Sequence, residues 1–316
     1  MRAFVLVLMA AGAMAQDRVV SSEADVRAVV FAPSGNILTG LCVDGKLRQW
    51  DVQSGALRKT VPWDKGEAIS AFPQEGDVIA TTGSGGIITV RDLENWHELS
   101  HFTGTSGRTV RTVTLSADRK FVAGSSRVEG NSRDEVMRLW DGAGKERFAV
   151  PGGTGGTSVL AISPDGTILA AGSYDTDLRI WTTRNGELLR RIEDLPVSMF
   201  AMAFTPDGRF LAAAGADRTV YFWNTKDWTL ARKLTGQPEM ISAMAFSRDG
   251  RLLATGGFND ITSQHPVSIL LWDVASGRIV ATKPAPHRVG SVAFSPDGKL
   301  LASTSGDKSV RLWNVR

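Results

Sequence analysis

Four aspartates occupy one repeated position, six residues before a tryptophan, and they are the most regular acidic groups in the chain. They are Asp44, Asp175, Asp217 and Asp307. A row of carboxylates could serve acid–base catalysis or bind a metal ion. An aspartate at a repeated turn can instead accept hydrogen bonds from the backbone of that turn. Because the same neighbours recur around each copy, the sequence favours the turn, and we expect no metal site among them.

The other residues that could do chemistry are few and scattered. The Gly-rich segment Gly152–Gly156 lacks the Lys-Ser/Thr that follows in a phosphate-binding loop, and no nucleophile elbow occurs. No zinc-type pair can be made from the four histidines, which are His97, His101, His265 and His287. The sequence therefore predicts no catalytic, cofactor-binding or metal-binding residue, and no cofactor.

The chain after residue 22 repeats one phrase seven times: an apolar strand, a Pro-Asp-Gly turn, a strand of small residues, a second turn and a strand with an aromatic end. The last copy reads Val292–Ser303 and then Asp307–Trp313. The position of the final tryptophan recurs at intervals of 41, 49, 41, 42, 49 and 41 residues, with arginine in the second copy. These residues are Trp50, Arg91, Trp140, Trp181, Trp223, Trp272 and Trp313. A period of roughly 40–45 residues with four strands per unit is typical of a β-propeller.

Each part of the phrase has a mechanical reason. In turns such as Ser163–Gly166, Pro presets φ at the second position, and Asp and Gly suit the end of a type I turn. Small residues in the second strand, as in Leu169–Ser173, let neighbouring sheets approach face to face. The third strand, as in Val220–Trp223, ends in an indole that can fill the gap to the next sheet.

The units resemble WD repeats. The Trp-Asp pair that names this family stands at Trp50-Asp51, Trp140-Asp141 and Trp272-Asp273, and the resemblance covers about residues 23–316. It implies an all-β fold, a seven-bladed β-propeller of four-stranded antiparallel blades. The family's Gly-His pair before the inner strand is absent, which predicts an incomplete Trp-centred polar network. Blade two has Arg91 instead of tryptophan and a loose inner strand at Ala68–Phe72, which predicts local instability there.

The resemblance also implies how the ring closes. The last repeat supplies three strands, so its fourth strand is expected from Arg18–Ser22, which precedes the first inner strand. This N-terminal strand would remove the last open sheet edge.

Function is expected in the loops, because the side chains of the strands are used for packing between blades. The aromatic position comes 15 residues after the end of the first turn in five units, 21 residues after it in the third unit and 22 in the sixth. The family places this connection on the top face, so the two loops would flank the mouth of the channel. Neutral drift is the alternative, since surface loops tolerate insertion. The candidate partner-binding residues of the two loops are Arg127, Glu129, Asn131, Arg133, Phe258, Asn259, Asp260, Gln264 and His265.

Further side chains are candidates at the same surface. Tyr174 would face it by analogy with family contact positions, and Tyr is a frequent interface anchor. Arg27 and Arg111 fall at matching inner-strand positions and could attract an anion, although pairing with nearby acids is the simpler account. Three tryptophans either form surface patches or pack under their own loops, and they are Trp63, Trp96 and Trp228.

Composition restricts the partner and the compartment. The 36 basic and 33 acidic side chains form no cationic run, so nucleic acid is not an expected partner. The single cysteine, Cys42, lies in an apolar run and is expected to be buried. Arg2, the apolar Ala3–Ala11 and the small residues of Ala13–Ala15 read as a secretory signal peptide. We therefore expect a signal peptide over 1–15 and a mature propeller over 16–316, without a membrane anchor after cleavage.

The sequence thus predicts a monomeric, non-catalytic protein–protein interaction module or scaffold of a bacterial-type cell envelope, secreted to the periplasm. Two alternatives stay open. One is an exported propeller enzyme or small-ligand binder with a site at the channel mouth. The other is a purely structural spacer in an envelope assembly.

Overall fold

Seven antiparallel sheets follow one another along the computed structural model, which describes residues 17–62, 77–104, 108–127, 135–193, 195–259 and 267–315, without the side chains of Ser84 and Arg111. Six sheets have four strands, and the sheet of blade two has three within these ranges. The one helix in them is the 3₁₀ turn Ser84–Gly86. The predicted seven-bladed β-propeller of antiparallel blades is confirmed. The inner strand predicted at Ala68–Phe72 lies outside the described residues.

In blades one to six the described strands run in sequence order from the inside to the outside. Blade one contains β2 (Val26–Phe31), β3 (Ile37–Cys42), β4 (Lys46–Asp51) and β5 (Leu57–Pro62). Blade two contains β6 (Val78–Thr82), β7 (Ile87–Asp92) and β8 (Glu98–Thr103). Blade three contains β9 (Thr109–Leu115), β10 (Phe121–Arg127), β11 (Glu135–Asp141) and β12 (Glu146–Pro151).

Blades four to seven follow the same plan. Blade four contains β13 (Thr157–Ile162), β14 (Ile168–Ser173), β15 (Leu178–Thr182) and β16 (Leu188–Ile192). Blade five contains β17 (Met199–Phe204), β18 (Phe210–Gly215), β19 (Val220–Asn224) and β20 (Leu230–Leu234). Blade six contains β21 (Met240–Phe246), β22 (Leu252–Phe258), β23 (Val267–Asp273) and β24 (Ile279–Ala285). Blade seven contains β25 (Val292–Phe294), β26 (Leu300–Ser305), β27 (Ser309–Asn314) and, as its outer strand, β1 (Arg18–Ser21).

Ring closure by the N-terminal strand is confirmed. β1 pairs antiparallel with β27, with Arg18 opposite Leu312 and Ser21 opposite Ser309. Val20 is 3% exposed and lies in the hydrophobic cluster between blades seven and one. Cys42 is buried in the same cluster, as predicted, and burial raises the pKa of its thiol.

Hydrophobic clusters fill the junctions between neighbouring blades. The described residues form seven such clusters, each with members from two adjacent blades. Between blades four and five, for example, Leu178 and Ile180 pack with Phe204 and Trp223. Six clusters contain a third-strand indole, and these indoles are Trp50, Trp140, Trp181, Trp223, Trp272 and Trp313. The predicted role of the repeated tryptophan as filler between blades is therefore confirmed.

In blade two another tryptophan replaces the missing third-strand indole. Arg91 takes the usual position on β7 and forms an ion pair with Glu98 at 3.0 Å. Trp96, in the turn after β7, is 7% exposed and packs with Leu47 and Ile79 in the cluster between blades one and two. Its φ is +70°, a left-handed conformation in which the matching turns of blades one, four and six carry glycine. Packing of this indole therefore outweighs a backbone cost of about 1–2 kcal/mol.

Deletion of residues 17–22 should lower the melting temperature by roughly 5 °C or more, because the cluster between blades seven and one loses Val20 and β27 becomes an open edge. Val20→Asp should have a similar effect, whereas Val19→Asp is the matched control because Val19 is 59% exposed. Thermal unfolding followed by circular dichroism measures all three. An unchanged melting temperature after the deletion would contradict closure by β1.

Replacement of Trp96 by Ala should lower the free energy of unfolding by about 3–5 kcal/mol, because the junction between blades one and two loses its indole. Trp228→Ala is the control. Trp228 has the same turn position in blade five, with φ +59°, but it is only partly buried and its junction keeps Trp223. Denaturant unfolding should show a clearly smaller loss of stability for Trp228→Ala. Equal losses would contradict the role of Trp96 as the replacement for the missing third-strand indole of blade two.

Candidate partner-binding surface

The turns between the second and third strands lie on one face of the ring, called the top face here. Tyr174 follows β14 on this face, and Phe258 has the equivalent position at the end of β22. The backbone of Tyr174 is fixed on both sides: its amide donates to the carbonyl of Gly156 at 3.0 Å, and its carbonyl accepts from Ser198 Oγ at 3.4 Å. The side chain of Tyr174 is 55% exposed, so the predicted exposure at this surface is found.

In blades one, three, four, five and six, a β-bulge in the inner strand places one additional residue near the same face. In blade five the bulge residue is Phe200, between Met199 and Ala201. The bulge residues of blades four and six are Ser158 and Ser242, whose hydroxyls donate to backbone carbonyls of the neighbouring blade at 2.6 and 3.1 Å. Phenylalanine cannot make such a bond. In blade five the bulge therefore presents a half-buried aromatic side chain instead.

Three aromatic rings from three blades meet on the top face and form a continuous row, called the aromatic row below. The ring centroids of Tyr174 and Phe200 are 6.5 Å apart, with an interplanar angle of 53°. Those of Phe200 and Phe258 are 6.3 Å apart, with an angle of 30°. Such tilted contacts are favourable for aromatic pairs. Blades four, five and six thus share one partly exposed apolar strip.

The structure brings together only some of the predicted partner-binding residues. Tyr174 and Phe258 lie in the aromatic row, and Asn259 follows Phe258, half-buried. Arg127 ends β10 at the equivalent position of blade three and is not part of the row. The remaining candidates lie outside the described residues, and they are Glu129, Asn131, Arg133, Asp260, Gln264 and His265. Trp63 also lies outside them.

Phe200 was missed by the sequence analysis, although its signal is present in the repeat. Aligned inner strands have Ser158 and Ser242 at this position in the two neighbouring blades, and phenylalanine interrupts that pattern. The two tryptophans of the outer turns do not contribute to the row. Trp96 and Trp228 pack into junctions between blades, which agrees with packing rather than a surface patch.

Arg27 and Arg111 occupy the bulge position in blades one and three, as their matching positions predict. The side chain of Arg111 is outside the description. Arg27 is exposed, and no ion pair of the described residues includes it, so the expected pairing with a nearby acid is not found. The top face therefore has an available cation near the channel side of blade one.

The four repeated aspartates bond the backbone of their own turns, as predicted. Oδ1 accepts a hydrogen bond from the amide two residues further on, at 3.2 Å for Asp44, Asp175 and Asp307 and at 3.3 Å for Asp217. No group of three or more His, Cys, Asp or Glu side chains is placed to hold a metal ion within the ranges given above.

These carboxylates also bind the side chain four residues further along. Arg48 donates to Asp44 at 3.0 and 2.7 Å, and this bond lowers the pKa of Asp44 below its ordinary value. Arg311 lowers the pKa of Asp307 in the same way. In blade five the partner is Tyr221, where burial and the hydrogen bond to the turn aspartate raise the pKa of the phenol to about 12. The aspartates are thus structural groups of the turns.

Five segments of the chain match the family model "WD domain, G-beta repeat", and together they cover more than half of its length. They are residues 17–51, 145–182, 194–224, 228–261 and 277–314. The chain belongs to the WD-repeat family. The matches omit residues 52–144, which hold blade two and most of blade three, where the sequence departs most from the WD repeat.

Curated relatives share part of this WD-repeat chain. Telomerase protein component 1 of Rattus norvegicus is 30% identical over 154 residues, which are 48% of this chain and 6% of that protein. Nuclear distribution protein PAC1 of Coccidioides posadasii (strain C735) is 29% identical over 180 residues, 49% of this chain and 38% of that protein. Autophagy-related protein 16 of Arabidopsis thaliana is 25% identical over 182 residues, which are 56% of this chain and 34% of that protein. The alignments span well under half of the length of each of these relatives.

Blade six contains a complete Trp-centred network although the Gly-His pair of the WD repeat is absent. Trp272 Nε1 donates to Thr255 Oγ1 at 2.8 Å, and this hydroxyl donates to Gln237 Oε1 at 2.7 Å. Gln237 Nε2 donates to Glu239 Oε2 at 2.6 Å, and Glu239 Oε1 accepts from the amide of Ser268 at 2.6 Å. The expectation of an incomplete network is wrong for blade six, because an amide side chain can accept at one end and donate at the other, as a histidine does.

A cavity of about 490 Å³ lies at the opposite end of the inner strands, lined by β2, β21, β25 and the turns that follow them. Its described charged lining residues are Arg248 and Asp77, and Asp77 is ion-paired with Arg119. Since these turns are on the bottom face, the cavity is separate from the aromatic row. No helix within the described ranges has the length and apolar character to cross a membrane.

Acid should destabilise this WD-repeat ring through the turn aspartates. The pKa values of Asp44 and Asp307 are lowered in the folded state, so their stabilisation is present above the ordinary value of 3.8 and is lost as the pH falls through the folded values. The melting temperature should therefore fall steeply between about pH 4 and pH 2. The variant with Asp44→Asn and Asp307→Asn should be less stable near neutral pH, and its melting temperature should depend less on pH. Thermal unfolding across that pH range measures both. A melting temperature that depends on pH as steeply as in the wild type would contradict this role of the aspartates.

Proposed function

We propose that this chain is a non-catalytic protein-interaction module that binds its partner through the top face of blades four to six. The observation that carries the proposal is the aromatic row, in which Tyr174, Phe200 and Phe258 meet from three separate blades. Aromatic anchors that are partly exposed and rigidly held are typical of the energetic centres of protein interfaces. Packing between the blades gives no account of why these rings extend onto the surface.

The rigidity of the row supports recognition more than catalysis. Tyr174 is held by backbone hydrogen bonds on both sides, and Phe200 is fixed by its place in the bulge of β17. Little backbone conformational entropy is then lost when a partner binds. One relative, telomerase protein component 1, is by its name a protein component of telomerase, which is compatible with a scaffold role for this chain.

We further propose that the module works outside the cytoplasm, in a bacterial-type cell envelope. The support is the sequence of the first 15 residues, with Arg2, the apolar Ala3–Ala11 and the small residues of Ala13–Ala15. Intact mass and N-terminal sequencing of the protein recovered from a periplasmic extract should give Gln16 as the first residue. Recovery of the uncleaved chain in the cytoplasm alone would remove the envelope from the proposal and leave the binding surface untouched.

The substitution Phe200→Ser tests the surface. Serine is compatible with the bulge, because Ser158 and Ser242 occupy it in the adjacent blades. Loss of one central anchor should weaken partner binding by about tenfold or more, since such anchors contribute roughly 2 kcal/mol. Crosslinking and pull-down from envelope extract, with quantification by mass spectrometry, should show a protein captured by the wild type and depleted with Phe200→Ser.

Leu189→Ser is the matched control, because Leu189 is 46% exposed on the outer strand of blade four, away from the top face. It should leave capture unchanged. If Phe200→Ser and Leu189→Ser capture the same proteins in the same amounts as the wild type, the partner does not use the aromatic row. Circular dichroism of both variants verifies that the ring is folded.

A further inference from the structure

We infer that the partner segment is an acidic peptide, whose apolar side chains pack on the aromatic row and whose carboxylates lie against a group of cations on blades seven and one. This inference rests on the proposed function and names the chemistry of its partner. It is carried by the charges next to the aromatic row, which the packing of the fold does not use.

Blade seven has an arginine and a histidine where blades four and six have aromatic side chains. Gly306 follows β26 at the position equivalent to Tyr174 and Phe258. An ideal Cβ on Gly306 would lie 3.2 Å from Cγ of Arg288 and 3.4 Å from Cβ of His287. Both side chains therefore lie over this glycine on the top face, and both are exposed.

The cations continue directly from the aromatic row. The amide of Val289 donates to the carbonyl of Gly257 at 2.7 Å across the junction of blades six and seven. Arg288 precedes Val289 and Phe258 follows Gly257, so each is the immediate neighbour of a residue in this hydrogen bond. One extended ligand can thus pass from the ring of Phe258 to the guanidinium of Arg288.

Arg27 extends the cationic group to blade one. An ideal Cβ on Gly290 would lie 3.4 Å from the carbonyl oxygen of Arg27, and Ser291 Oγ accepts from the amide of Val29 at 3.3 Å, so the inner parts of blades seven and one are in contact here. Lys308, in the turn after β26, adds a further exposed ammonium group.

No described carboxylate forms an ion pair with the cations of this group. No ion pair within the described residues includes Arg27, Arg288 or Lys308. The turn carboxylates of the same two blades, which are Asp44 and Asp307, are already bound to Arg48 and Arg311, and Glu23 also pairs with Arg48. Among the described residues, Asp25 is a further exposed acid nearby, and it has no ion pair. Within the described residues, these three cations stand against Asp25 and the second carboxylate of the Arg48 group, which still leaves this part of the top face with a net positive charge.

An acidic peptide fits both halves of the surface better than another polyanion does. The rings of the row are tilted at 53° and 30° and contact one another, which forms an apolar strip rather than a set of parallel platforms for stacked bases. Lipid headgroups would engage the cations and leave the row without a partner. Carboxylates next to leucine or aromatic side chains satisfy both, and charge complementarity would also speed association.

The test uses the full chain and an array of short peptides in which acidic content and Leu/Phe content vary independently. Binding should require both kinds of residue, and replacement of Asp and Glu by Asn and Gln in the best peptide should weaken it. The variant with Arg27→Gln and Arg288→Gln should bind that peptide roughly tenfold more weakly, and added salt should then have less effect. Fluorescence anisotropy measures both.

The control variant carries Lys59→Gln and Arg190→Gln, which remove the same net charge from exposed outer-strand positions on blades one and four. It should bind as the wild type does. Equal weakening by both variants, or equal binding of neutral and acidic peptides, would overturn the inference that the peptide is acidic. Loss of binding with Phe200→Ser would still support the proposed function in that case. Tighter binding of single-stranded oligothymidine or of phosphatidylglycerol vesicles, lost with Arg27→Gln and Arg288→Gln, would replace the peptide by that ligand. Absence of binding to every peptide overturns the inference, and unchanged capture with Phe200→Ser separately overturns the proposed function.

Discussion

Packing of an indole between neighbouring sheets is the interaction on which the rest of this ring depends. Every junction between blades holds a hydrophobic cluster with one tryptophan at least, and the small residues of the second strands allow the sheets to approach it. Because both faces of each sheet are used in this way, only turns, bulges and outer strands remain for other purposes. In the junction between blades one and two the indole comes from Trp96, which lies in a turn and has a left-handed backbone conformation.

The repeat made the architecture predictable, because each copy reports the same local physics. The period, the turn residues, the closing strand and the backbone role of the aspartates could all be inferred before the structure was known. The replacement for Arg91 could not, since Trp96 belongs to a different element of the blade and reaches the junction only through the path of its turn. The polar network of blade six was missed for a similar reason: Gln237 and Glu239 perform a task that the sequence pattern assigns to other residue types.

The candidate site was only half predictable. Tyr174 was identified by analogy with family contact positions and Phe258 from the length of its loop, and neither argument needs the arrangement of neighbouring blades. Their connection through Phe200 depends on three blades side by side, and the bulge that turns this residue toward the top face is visible only in the strand register. Arg27 was expected to be neutralised, yet Glu23 and Asp44 are bound to Arg48, and Asp25 forms no ion pair within the described residues. Such competition between neighbours is a property of the folded ring.

The pairing of β1 with β27 has a consequence for how the protein is made. Of the described strands β1 is translated before all others and β27 after all others, so β1 has no partner until the last repeat has been translated. Throughout synthesis the nascent chain therefore presents an unpaired N-terminal strand and an incomplete ring. A transcript truncated anywhere before β27 would yield blades that fold locally but cannot seal, and such a product should be a substrate for chaperones and proteases.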